Sequence, residues 1–200
     1  MKKAEIIETG RKVIEQEIDA LKTASGRLGD DFSKAVGLII KCKGKVIVTG
    51  IGKSGHIGKK IAASLASLGT PSFFMHSTEA LHGDSGMARK EDVIIAISNS
   101  GTTSEVVSAA ERCKDMGCAL ISMTGNPDSK LAILADAFLN IDVAHEADHL
   151  NLAPTSSTTV TLALGDALAV VVSKAKGFTS MDFGYFHSGG ALGKKTAKAK

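Results

Sequence analysis

The stretch with the clearest chemical content runs Ser98-Asn99-Ser100-Gly101-Thr102-Thr103-Ser104-Glu105, directly after the apolar run Val93 to Ile97. A short apolar run that stops in hydroxyl residues, followed by helix-forming residues, reads as a buried strand, a turn and a helix N-terminus. Such a turn offers several O–H donors, little side-chain bulk and the positive end of a helix dipole, which suit a phosphate dianion. Glu105, on the first helical turn, would repel that phosphate if aimed at it. It therefore caps the helix or faces another part of the ligand.

A second candidate is Gly50-Ile51-Gly52-Lys53-Ser54-Gly55, read as a tight loop after a strand at Lys45 to Thr49. The glycines fit a G-x-G-x-x-G pattern, but a dinucleotide site also needs an acidic residue near the end of the second strand. Phe74-Met75-His76 stands there, so a nicotinamide cofactor is not expected. A phosphate-binding P-loop fails as well, because Ile47 holds the place of its first glycine. What remains is a lysine ammonium beside an anion. The third candidate, Ala144 to Thr159, repeats the first: a strand ends, Glu146 follows, and Thr155-Ser156-Ser157-Thr158 precedes a helix. Lastly, Thr179 and Asp182 have capping-box spacing for a short helix that delivers His187 into Ser188-Gly189-Gly190.

The elements that must carry these groups alternate strand and helix. Strands are expected at 45–49, 72–76, 93–97, 118–123 and 138–142. Helices are expected ahead of the first strand and after strands one, three and four, with a long one at about 156–176 ended by Gly177. Gly69 closes the helix that starts after Lys53, and His76 to Gly86 reads as a polar, irregular loop. The class is α/β, a doubly wound five-stranded parallel sheet of order 2-1-3-4-5 flanked by helices. In that order the loops after strands one and three border the switch point where such folds bind ligands. Residues 1–40 form an N-terminal helical segment packed on the domain or on a second copy, 41–193 the domain, and 194–200 a basic tail.

Composition narrows the function classes. The chain has 200 residues, a formal charge of +3 and no Trp. Part of the charge sits in a terminal lysine tail, and no basic patch interleaves with aromatics, so nucleic acid is not an expected partner. Cys42, Cys113 and Cys118 lack zinc-site spacing and read as reduced thiols, as in a cytoplasmic protein. Val160 to Val172 is interrupted by Gly165 and Asp166 and reads as a core helix, so no membrane partner is expected.

Taken together, GIGKSGHIGKKIAASLASLGT, HSTEALHGDSG, ISNSGTTSE, LAPTSSTTVTLALGDALAV and HSGGALGKK resemble the sugar isomerase (SIS) domain of arabinose-5-phosphate isomerases. The resemblance implies interconversion of D-arabinose 5-phosphate and D-ribulose 5-phosphate with no cofactor. Isomerisation of another phosphosugar, or a phosphosugar-binding regulatory module without turnover, stands as the alternative. The likeness places the catalytic positions on Lys53, Glu105, Glu146 and His187. It places substrate and phosphate contacts on Gly52, Ser54, Gly69, Thr70, His82, Ser98, Asn99, Ser100, Thr103, Thr155, Ser156 and Ser157. No metal is required, and His76 corresponds to an adventitious divalent contact. A homotetramer with sites shared between subunits is expected. So is a short form without the C-terminal cystathionine-β-synthase-type pair of many relatives, because the chain stops at Lys200. The chain departs from the family pattern at Asp148-His149, where Cys-Pro is usual, and at Ser188, where Pro is usual. Those departures bear on substrate preference.

Overall fold

A computed structural model describes residues 1–187; the expectations for Ser188-Gly189-Gly190 and for the tail 194–200 lie outside them. The elements follow in order as α1 (Lys3–Gly26), α2 (Asp30–Lys41), β1 (Val46–Gly50), α3 (Gly52–Ser67), β2 (Ser72–His76), α4 (Ser77–Leu81), β3 (Val93–Ile97), α5 (Ser104–Asp115), β4 (Ala119–Thr124), α6 (Lys130–Leu134), β5 (Ala137–Asn140), α7 (Ser156–Ala175) and α8 (Ser180–Phe186). All strand pairs are parallel and the order is β2-β1-β3-β4-β5, as expected.

The central strands are buried on both faces, and this accounts for their unbroken apolar runs. Side-chain alternation divides them between two cores. Val46, Val48, Ile95, Ile97, Ile121 and Met123 face α1, α2, α3 and α7. Ile47, Ile94, Ala96 and Leu120 face α4, α5 and α6. Helix α7 is long and apolar enough to cross a bilayer by length and composition. Its Val160, Leu164, Leu168 and Val172 are nonetheless buried against the first core, which makes it a core helix. The N-terminal helices also join this core, through Ala24, Ala35, Val36 and Ile39.

Three local expectations are corrected. The stretch from Gly50 to Gly55 is mostly not a loop. Helix α3 begins at Gly52, in a left-handed conformation (φ +56°), so Lys53 and Ser54 lie on its first turn. The first apolar residue of its buried face comes later, and periodicity therefore could not mark the start. The His76–Gly86 stretch contains α4 and a 3₁₀ turn at Asp84–Met87. The short α4 is held by a buried hydroxyl pair, Thr49 Oγ1 to Ser77 Oγ at 2.8 Å. Five residues are too few to display a helical repeat. Strand β5 ends at Asn140 rather than 142, though Ile141 N–H still donates to the Thr124 carbonyl at 3.1 Å.

Helices α3 and α7 pack side by side and run in the same direction. Ile61 lies against Gly165, where a Cβ would overlap its side chain. Lys60 pairs with Asp166 at 2.5 Å, and one helix end further on Lys176 Nζ donates to Thr70 Oγ1 at 3.1 Å. Replacing Gly165 by Ala is expected to destabilise by about 1–3 kcal/mol through overpacking, despite the better helix propensity of Ala. In an Ile61→Ala background most of that penalty should vanish. Thermal denaturation of the four proteins measures this, and strictly additive losses would mean that the two side chains do not meet.

Candidate active site

The parallel sheet puts every strand's carboxyl end on one edge, and most of the singled-out residues collect there. Gly50 and His76 are register partners at the ends of β1 and β2. The Gly50 backbone lies close to the Ile97 carbonyl at the end of β3. Lys53 is exposed on the first turn of α3, with Ser54 half-buried beside it. Helix α7 opens on this edge too. Ile61 and Gly165, which touch, each stand nine residues after the first residue of their parallel helices. The first turns of α3 and α7 are therefore neighbours. His76 and His82 flank α4 on the same edge and are both exposed.

The β3–α5 turn is tied down from inside. Ser98 and Thr103 hydroxyls pair at 2.9 Å, and Gly101 N–H donates to Ser98 Oγ at 3.2 Å. Ser100 Oγ accepts from the Thr102 N–H at 3.3 Å. Gly101 is left-handed (φ +66°), and a Cβ there would overlap Ser129 and Thr124. Thr124 Oγ1 donates to the Asn99 carbonyl at 3.1 Å, and Gly125 N–H to the same oxygen at 2.9 Å. Asn99 and Ser100 are exposed at the tip. Glu105 turns onto its own helix: its Oε2 accepts from Ser104 Oγ at 2.8 Å. Its own backbone N–H, then the Ser104 hydroxyl, hold the carboxyl below the ordinary glutamate range.

Glu146 caps the N-terminus of α7. Its Oε2 accepts Thr155 N–H at 2.8 Å, Ser157 N–H at 3.1 Å and the Thr155 hydroxyl at 3.2 Å, while Oε1 accepts the Ser157 hydroxyl. Donors that the hydroxyl-cluster reading offered to a phosphate thus serve a carboxylate of the same chain. Ser156 Oγ is buried and, among the described residues, has no hydrogen-bond partner. Burial pushes the Glu146 pKa up. The Ser157 hydroxyl, the Thr155 and Ser157 N–H groups and the Thr155 hydroxyl together outweigh it and hold the carboxyl below the ordinary range.

Three of the expected site residues stand elsewhere in the chain. Gly69 and Thr70 follow the far end of α3, about 24 Å along the helix from Lys53 at 1.5 Å per residue. Phe178 covers Gly69, and Phe186 stacks on Phe178 at 6.1 Å between centroids. His187 follows directly. Its ring stacks on Phe183 at 3.8 Å, and Nδ1 lies 2.8 Å from the Phe183 carbonyl. Within one chain His187 is therefore at the opposite end from Lys53. The cavities of 260–360 Å³ around α1–α2, between α1 and residues 142–145, around α4–α5 and at the amino ends of β3 and β4 include none of Lys53, Glu105 or Glu146 in their walls. Among the described residues, no three His, Cys, Asp or Glu side chains are grouped to hold a metal ion.

Sequence reasoning missed Asn151 and gave Thr155 a ligand rather than the Glu146 loop. Asn151 Oδ1 accepts the Glu146 N–H at 2.7 Å, and Thr155 Oγ1 accepts the Ala147 N–H at 2.7 Å. The only available signal was an Asn in a polar loop, a type that tolerates left-handed backbone.

The chain belongs to the SIS domain family, which it matches over residues 38–171. It is 56% identical over 191 residues to the arabinose 5-phosphate isomerase KdsD of Pseudomonas aeruginosa, covering 96% of this chain and 59% of that protein. It is 51% identical over 188 residues to the arabinose 5-phosphate isomerase GutQ of Escherichia coli K12, covering 94% of this chain and 59% of the relative. The chain thus spans about three fifths of the length of these curated relatives. A protein of E. coli CFT073 solved in complex with arabinose 5-phosphate superposes with a TM-score of 0.90 at 44% identity, over 94% of this chain and 100% of that one.

A carboxyl held below its ordinary pKa stabilises the fold above that ordinary value, and the contribution disappears as pH falls through the folded-state value. Glu146→Gln should therefore lower the melting temperature at neutral pH. The gap from the unsubstituted protein should narrow as pH drops below the ordinary glutamate value near 4.5. Melting curves across pH check this; a gap that widens in acid would show that Glu146 does not cap α7 as an anion.

Proposed function

We propose that the protein is an aldose–ketose isomerase interconverting D-arabinose 5-phosphate and D-ribulose 5-phosphate through an enediol. The observation that carries this reading is the parallel pairing of α3 with α7. It sets an ammonium (Lys53) and a carboxylate (Glu146) on the same sheet edge as the hydroxyl turn at 98–104. Identity to KdsD and GutQ and the likeness to a protein solved with arabinose 5-phosphate support the substrate.

The reaction moves a proton between C1 and C2. It needs a base for the carbon acid, a donor toward the oxygen and an anchor for the phosphate. The β3–α5 turn, with Asn99 and Ser100 exposed at its tip and the α5 N-terminus behind, anchors the phosphate. Lys53 offsets negative charge as the enediolate develops. Glu146 and Glu105, both held ionised at neutral pH, can take up a proton but have none to give. The proton donor for ring opening and for the oxygens is then His187 or Lys53.

His187 reaches that edge only from another copy of the chain, so the working unit is a homo-oligomer, a tetramer, with sites shared between subunits. Exposed Ile6, Ile7, Ile14 and Ile18 on α1 and Met181, Tyr185 and Phe186 on α8 provide apolar surface for such contacts. The setting is the cytoplasm.

A coupled assay with arabinose 5-phosphate beside a panel of other sugar phosphates tests the reading. Turnover of arabinose 5-phosphate is expected; thermal stabilisation by one sugar phosphate without turnover would make the protein a sensor. Lys53→Ala and His187→Ala should each lose about 10²–10⁴-fold in kcat while keeping the fold. Mixing the two variants under subunit exchange should restore part of the activity, because some sites then combine intact Lys53 with intact His187. Exchange without recovery would overturn the shared site.

A further inference from the structure

The segment between β5 and α7 is held by its own side chains to an unusual degree. Asp148 accepts the N–H groups of Leu150 at 2.6 Å, Leu152 at 2.7 Å and Ala153. Its side chain is only 16% exposed, whereas that of its neighbour His149 is 87% exposed. Asn151 N–H donates to the Asp148 carbonyl at 3.0 Å. Among the described residues Asn151 is the one non-glycine with positive φ, at 54°. That strained backbone points its side-chain oxygen back at the Glu146 N–H, 2.7 Å away.

We propose that Asp148 and Asn151 form a clamp whose task is to position the Glu146 carboxylate, making them positioning residues for the isomerisation. The inference rests on the proposed function only in assigning Glu146 to catalysis. The chain of contacts is continuous. Asp148 gathers the backbone from 150 to 153 into a tight turn, that turn forces Asn151 left-handed, and Asn151 grips the peptide N–H of Glu146. Thr155, at the other end of the turn, grips the next peptide N–H and donates to the carboxylate itself. A single Asp→Ala change would release three backbone donors and free the turn that aims the carboxylate. The titratable and charged groups nearby are His149, whose Nδ1 lies 3.8 Å from Asp148, and Asp19, Arg27, Asp142 and His145 around the adjoining cavity. Arg27 donates to the Asp142 carbonyl at 2.8 Å and so holds the start of the same segment.

The test uses the full chain with Asp148→Ala, Asp148→Asn and Asn151→Gly. Glycine keeps the left-handed backbone and removes only the acceptor, so the third variant folds even if the first does not. The first measurement is the titration of the Glu146 side-chain carboxyl by carbon-13 NMR, which needs no turnover. In the unsubstituted protein it should titrate below the ordinary glutamate value. In Asp148→Ala and Asn151→Gly it should move up toward that value, with Asp148→Asn, which keeps one acceptor oxygen, in between. Identical titration in all four proteins overturns the clamp. The second measurement is the pH profile of kcat/KM with arabinose 5-phosphate. An upward move of the acid limb and a fall of about tenfold or more in kcat at little-changed KM are expected, because a slightly misplaced group reacts poorly. A profile that only scales down, with its limbs in place, would reduce Asp148 to a fold-stabilising residue. If the unsubstituted protein does not turn over arabinose 5-phosphate, the proposed function falls, and the NMR titration still decides the clamp.

Discussion

The side-by-side packing of α3 on α7 is the constraint from which the site follows. A side chain at Ile61 and none at Gly165 let the two helices approach closely, and the Lys60–Asp166 pair fixes their register. Because both helices start nine residues before that contact, their N-termini, and the groups on them, share one edge of the sheet. If the register slipped by one helical turn, Lys53 would move about 5.4 Å against the carboxylate held by α7. The glycine at 165 thus sets where Lys53 and Glu146 stand relative to each other, through packing alone.

The sheet order, the two-faced burial of the central strands and the helix-ending glycines were legible because each leaves a strong one-dimensional trace. Continuous apolar runs marked β1 and β3, and Thr179 with Asp182 marked the α8 cap, where both reciprocal bonds form. The start of α3 was not legible, because Gly52 and Lys53 precede any apolar repeat. The short α4 was hidden for a related reason: tertiary contacts, chiefly Thr49 to Ser77, hold it rather than its own pattern.

In the site, the spacing of hydroxyls and carboxylates was visible, but who bonds to whom was not. Thr155 and Ser157 could have faced a ligand or a side chain; only the folded loop shows them donating to Glu146. Likewise no sequence pattern tells that His187 lies beyond Phe178 and Phe186 at the far end of α3. A pattern along the chain reports local periodicity, whereas such pairings depend on the path of the loop.

Active-site groups are commonly a burden on the fold that holds them. Glu146 reverses this, because the carboxylate that the chemistry would use also completes the N-terminus of the long core helix α7. Under the proposed isomerisation, folded-protein abundance and turnover are linked traits at this position. A substitution there would be felt in a cell first as a smaller pool of intact protein and only second as slower chemistry, and selection for either property would preserve the same oxygen atoms.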